Sequence, residues 1–193
     1  MDIIELVISD EDEFNGIEAI SIVTHPAIEA DGVYLSKDGK KVQFAVETEE
    51  KGIFIAPILK PNKLVYRERV DGQGYYVRFA KDTIRTCAER YLMESRQWDM
   101  TEQHEELMQD VCLVESWIVE DPEKDKAAIY NLDVNEGTWM GVFRINNEDV
   151  KEKLKSGELK AISIEGYFSE KSELSMVEKE VERAILAVLK DSL

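Results

Sequence analysis

The chain is short of the residues from which most reactive sites are built. It holds 2 histidines, 2 cysteines and 4 prolines among 193 residues. Two cysteines, Cys87 and Cys112, make no disulfide framework, and both fall on apolar faces where small buried fillers are expected. No Cys-x-x-Cys occurs, and His104-Glu105-Glu106-Leu107-Met108 is not the His-Glu-x-x-His zinc signature. A metal site with two histidines would have to use both His25 and His104, so no metal and no cofactor is expected. The glycine patterns of nucleotide-binding loops are missing too, since Gly72 and Gly74 belong to a turn. The missing Gly-x-Ser-x-Gly elbow and the β-rich pattern both argue against an α/β-hydrolase.

Positive charge is scarce as well. Lys and Arg total 24 against 41 Asp and Glu, a formal charge of −17. A phosphate backbone would be repelled, so nucleic acid is not an expected partner, whereas a basic protein would suit. No apolar run is long enough to cross a bilayer. The start, Met1-Asp2-Ile3-Ile4-Glu5, lacks the basic and apolar regions of a signal peptide, so no membrane association and a cytoplasmic protein are expected.

What is present is enough for one domain: 44% of the residues are hydrophobic. The first two-thirds reads as β. Apolar runs at Ile3 to Ile8 and Ile17 to Val23 flank the acidic turn Asp10 to Glu13. Val33 to Leu35 and Val42 to Val46 flank Asp38-Gly39, a hairpin signal. Ile53 to Leu59 is a further strand, and Leu64 to Val70 with Tyr75 to Phe79 make a second hairpin. Asp82 is placed to cap a helix running to about Gln97. Strands follow at Val111 to Val119, Trp139 to Ile145 and Lys160 to Phe168, with a helix from Asn147 to Ser156 stopped by Gly157. From Ser175 the stripe Val181, Ala184, Ile185, Val188 and Leu189 predicts an amphipathic helix. The expected architecture is α+β: a mostly antiparallel β-barrel over 1–170 surrounded by helices, with a C-terminal helix over 171–193.

Scarcity narrows the chemistry. His25 precedes Pro26 and reads as a turn residue. His104 lies in a polar segment feeding the strand at Val111, where a base is both held and exposed. Cys112, inside Val111-Cys112-Leu113-Val114, reads as buried. That leaves serine. In Ile162-Ser163-Ile164-Glu165-Gly166, Ser163 and Glu165 share one strand face and the isoleucines the other. Gly166 lets backbone or substrate approach closely. A serine needs a base within reach to become a nucleophile, and His104 is the natural candidate.

Several blocks then carry a resemblance: Ala19-Ile20-Ser21-Ile22-Val23 with Pro26-Ala27-Ile28-Glu29, Val114 to Pro122, Gly137-Thr138-Trp139-Met140, and Ser163 to Phe168. In this order they resemble the XkdF-like serine proteases of phages and defective prophages, relatives of the prohead proteases. The resemblance implies a serine endopeptidase of capsid maturation, with Ser163 as nucleophile and His104 as base. It implies the barrel of the herpesvirus assemblin protease, no cofactor, and capsid and scaffolding proteins as substrates and partners inside the assembling prohead in the host cytoplasm. Homodimerisation through the C-terminal helix would fit, as would the rival role of a non-catalytic assembly or scaffolding protein that retains the fold. In many prohead proteases a Ser-Leu-Val-x-x-Pro-Ala segment follows the nucleophile strand. Here its counterpart, Ser21 to Ala27, comes early, which implies a circular permutation with that strand beside Ser163. For the group orienting His104, Glu165 ranks first, with Glu18 and Glu115 as alternatives.

Overall fold

Alternation of large apolar and small polar residues builds the part of the fold that carries the chemistry. Ile20 and Ile22 are fully buried, as is Ile162, while the serines between them turn to the opposite sheet face. Burying one such isoleucine contributes about 1.5–3 kcal/mol, so a slip of one residue in either strand is strongly disfavoured.

The structure, a computed structural model, describes residues 2–9, 15–36 and 50–171. Its strands are β1 (Ile3–Val7), β2 (Gly16–Val23), β3 (Val33–Ser36), β4 (Glu50–Leu59), β5 (Val65–Glu68), β6 (Gly74–Phe79), β7 (Met100–Glu102), β8 (Glu106–Leu107), β9 (Val111–Ile118), β10 (Trp139–Ile145), β11 (Ala161–Tyr167) and β12 (Ser169–Glu170). The helices are α1 (Lys81–Met93), α2 (Lys126–Ile129) and α3 (Glu148–Ser156), with a 3-10 turn at Arg96–Trp98. The acidic run at 10–13, the strand at 42–46 and the C-terminal helix lie outside the described residues.

The fold is α+β with mostly antiparallel strands, but the closed barrel expected from the sequence is not formed. Among the described residues the strands make three four-stranded sheets, ordered β12-β1-β6-β5, β3-β4-β10-β9 and β11-β2-β7-β8. The reason lies at the end of β11. After Tyr167 the chain leaves β2, and β12 pairs instead with β1 through Leu6–Glu170 and Val7–Ser169. The chain thus crosses between sheets where a barrel would need a continuous ladder.

The main core joins the sheets through α1. Ile84, Cys87, Ala88 and Tyr91 form its buried stripe, and the Tyr91 ring meets Trp139 edge-on at 5.8 Å. Asp82 does not cap this helix: Ala80 holds the N-cap position, and Asp82 sits within the first turn, where it still complements the helix dipole. The cap expected for α3 is present, with the Asn147 side chain accepting from the Val150 N–H and Gly157 at φ 78° ending the helix. Both cysteines are buried and free, and burial pushes the Cys87 thiol up to about 12.

Candidate active site

Three adjacent strands lay a row of hydroxyls across one sheet face. β11 pairs antiparallel with β2, matching Ser163 to Ser21, and β2 pairs parallel with β7, matching Ser21 to Thr101. Directly paired residues point to the same side. Ser163, Ser21 and Thr101 therefore stand in line, with Ile20, Ile22, Ile162 and Met100 in the core behind them. The permutation expectation placed Ile20 to Val23 beside Ile162 to Ile164, and these strands are neighbours in register.

His104 is not in a loose loop before β9. It sits in the turn of a small hairpin, β7–β8, that the sequence reading did not anticipate. The Glu105 N–H donates to the Glu102 carbonyl, closing a turn whose central residues, Gln103 and His104, have φ of 52° and 65°. Positive φ in two successive non-glycine residues is costly and is held only by surrounding contacts. Those contacts are present. Thr24 N–H donates to Gln103 Oε1 at 3.3 Å and Gln103 Nε2 to Thr24 Oγ1 at 2.5 Å. Lys153 Nζ reaches Glu102 Oε1 at 2.5 Å, and that carboxylate holds the ammonium above its usual value.

The histidine closes a ring of hydrogen bonds. Its backbone N–H donates to Ser21 Oγ at 2.8 Å, and Ser21 Oγ lies 2.7 Å from Thr101 Oγ1. Thr101 Oγ1 donates to Glu165 Oε1 at 2.5 Å, and His104 Nδ1 lies 3.2 Å from the same oxygen. Because the Thr101 proton goes to Glu165, the Ser21 proton goes to Thr101. An Nδ1–H directed at the carboxylate leaves the Nε2 lone pair of a neutral ring free. Ser21 is fully buried, so its hydroxyl is a structural link and not a nucleophile. Ser21 and Thr101 were missed as site residues. The signal was there: Ser21 sits between isoleucines as Ser163 does.

The other predicted residues fall apart from this ring. Glu115 pairs with Lys126 on the sheet that contains β9. Glu18 is exposed at the register shift of β2, and its backbone carbonyl accepts a bond from Arg96 at 3.4 Å. His25 is exposed in a bend. Ser163 Oγ, half-buried, makes no hydrogen bond to His104 or to another described residue. Ser163 does line a cavity of about 340 Å³ whose walls include Ile58, Val77, Phe79, Ile162 and Ile164. At Gly166 the expected close approach is made by backbone: an added Cβ would lie 2.1 Å from the Gly16 carbonyl oxygen.

A family model described as putative phage serine protease XkdF matches residues 58–173, more than half of the chain. The chain belongs to this family. Within the XkdF-matched span lie Thr101, His104, Ser163 and Glu165, whereas Ser21 and the early blocks at Ala19 and Pro26 lie before it. No curated protein and no solved structure matches the chain.

Proposed function

We propose that the chain is a serine endopeptidase in which Ser163 is the nucleophile, His104 the general base and Glu165 the acceptor that orients it. The observation that carries this reading is the 3.2 Å contact of His104 Nδ1 with Glu165 Oε1, on the strand face that also presents Ser163. A carboxylate at Nδ1 selects the tautomer whose Nε2 accepts a proton, and it stabilises the imidazolium that then forms. Ser163 Oγ would form a bond to the scissile carbonyl carbon as its proton passes to Nε2. The same proton would go to the leaving amine as the C–N bond breaks, and water would release the acyl group by the reverse sequence.

Family membership supports phage or prophage capsid maturation as the setting, with scaffolding and capsid proteins as substrates within the assembling prohead in the host cytoplasm. The formal charge of −17 suits basic protein partners. The β2–β11 adjacency supports a circular permutation relative to the prohead proteases, without the closed barrel. A prohead protease structure whose Ser-Leu-Val-x-x-Pro-Ala strand does not pair with its nucleophile strand would sink that topology.

The test is co-expression with capsid and scaffolding proteins, comparing wild type with Ser163→Ala and His104→Ala. Loss of processing in both variants is expected, along with fluorophosphonate labelling of wild type at Ser163. One observation favours a second reading: Ser163 Oγ and His104 are not hydrogen-bonded to each other. On that reading the chain is a non-catalytic assembly protein that keeps the fold. Processing that survives either substitution, or never occurs with wild type, would favour it.

A further inference from the structure

Among the described residues the strand that carries Ser163 has an open edge. Ile20 N–H donates to the Asp99 carbonyl and Gln103 N–H to the Ile22 carbonyl, so Ile20 and Ile22 turn their backbone groups toward β7. The alternate residues Ala19 and Ser21 then turn theirs toward β11. Through the register, Ser163 and Glu165 face β2, while Ile162 and Ile164 direct N–H and C=O away from the sheet. Among the described residues β11 is the terminal strand of its sheet. A short segment already covers the start of the open edge: Asp31 bridges Ala161 antiparallel, and Gly32 N–H donates to the Lys160 carbonyl at 2.7 Å. Among the described residues no ladder partner continues from there to Ile164.

The cavity lies along this same edge. Ile162, Ser163 and Ile164 line it together with Ile58, Val77 and Phe79. At about 340 Å³ it is within the range of sites that enclose a ligand, and its lining is largely apolar. His104 and Glu165 do not line it, so Ser163 is where the hydroxyl row opens onto the groove.

We infer that this edge and cavity together form the docking site for an extended polypeptide segment, which adds to β11 as a strand beside Ile164. A large aliphatic or aromatic side chain of that segment, close to the bond to be cut, fills the cavity. An edge with alternating unpaired donors and acceptors selects an extended backbone, and an apolar hole selects a side chain, which is how strand addition achieves specificity. The meaning of Ser163 in this arrangement rests on the protease reading; the docking itself does not.

The experiment uses isotopically labelled full-length Ser163→Ala protein, which cannot acylate, titrated with the peptide acetyl-Ala-Ala-Leu-Ala-Ala-amide and followed by NMR. Expected are shifts of the Ile164 amide and of the Ile58, Ile162 and Ile164 methyls. Replacing leucine by aspartate in the peptide, or N-methylating its backbone beside leucine, weakens binding about tenfold or more. Ala27→Phe, which fills the cavity, weakens the leucine peptide similarly, and the peptide changes test the idea even where that variant folds poorly. Shifts centred elsewhere, equal binding of the leucine and aspartate peptides, or no binding at millimolar peptide overturns the inference. Peptide bound at Ile164 with no fluorophosphonate labelling of wild-type Ser163 would sink the protease reading and leave the docking intact. Labelling and cleavage with no response at Ile164 would do the reverse.

Discussion

His104 Nδ1 stands 3.2 Å from Glu165 Oε1, and that oxygen also accepts the Thr101 hydroxyl proton at 2.5 Å. One carboxylate oxygen thus ties the imidazole to the sheet that carries Ser163. Removing the carboxylate charge while keeping its shape should therefore act on catalysis more than on folding. Glu165→Gln is expected to lower kcat by about 10³–10⁴-fold with little change in KM, because the amide permits the wrong tautomer. Steady-state cleavage of a peptide substrate checks this, and activity near wild type would remove Glu165 from the mechanism.

The closed ring makes Thr101 a link between three groups. Thr101→Val is isosteric but removes the hydroxyl bonds to Ser21 and Glu165, leaving Ser21 Oγ with the His104 N–H and the more distant Thr101 carbonyl at 3.3 Å. A loss of about 1–3 kcal/mol in denaturant unfolding is expected, with Thr101→Ser restoring most of it. Equal stability of the valine and serine variants would mean that the hydroxyl bond does not hold the turn.

His104 occupies left-handed backbone at φ 65°, a conformation that asparagine adopts readily. His104→Asn should therefore stay within about 1 kcal/mol of wild type in stability while losing cleavage. A variant that unfolds would instead assign the residue a structural role.

Gly166 is different, since its requirement comes from contact. The Gly16 carbonyl oxygen lies 2.1 Å and the Ile17 Cα 2.9 Å from where a Cβ would stand, so strand backbone, not a flexible side chain, would have to shift. Gly166→Ala is expected to cost roughly 2–4 kcal/mol, read as a lowered unfolding midpoint. A neutral result would show that β2 and β11 separate easily at their bulge.

Acid should weaken the seam between β1 and its neighbours. Glu5 accepts from Lys171 at 2.7 Å and from Arg78 at 3.1 Å, and the Lys171 bond, then the charges of Lys171 and Arg78, hold its carboxyl below the ordinary 4.5. A lowered folded-state value means that the stabilisation is present above the ordinary carboxylate range and is lost as pH falls through the lowered one. Wild type should melt above Glu5→Gln at neutral pH, with the gap closing below about pH 4. A gap independent of pH would contradict the ion-pair origin.

Local chemistry was readable from the chain itself. Alternation around Ser21 and Ser163 set the strands and their buried faces, because a one-residue shift would expose isoleucine to water. The Asn147 cap and the Gly157 stop followed from residues adjacent in sequence. Family blocks around Ser163 pointed to the strand on which the proposal rests, and histidine scarcity left few bases to choose from.

What only the tertiary structure decided involves partners far apart in the chain. Ser21 and Thr101 are 80 positions apart, and Thr101 and Glu165 are 64 apart, so no local pattern could announce the ring. The choice of Glu165 over Glu18 and Glu115 also belongs here: each is a strand or strand-end carboxylate in the sequence, and only sheet order places one of them under the imidazole. Sheet closure was beyond the sequence for the same reason. Strand propensity says that a segment will pair, but which edge it meets depends on where the chain turns, and after Tyr167 it turns to β1.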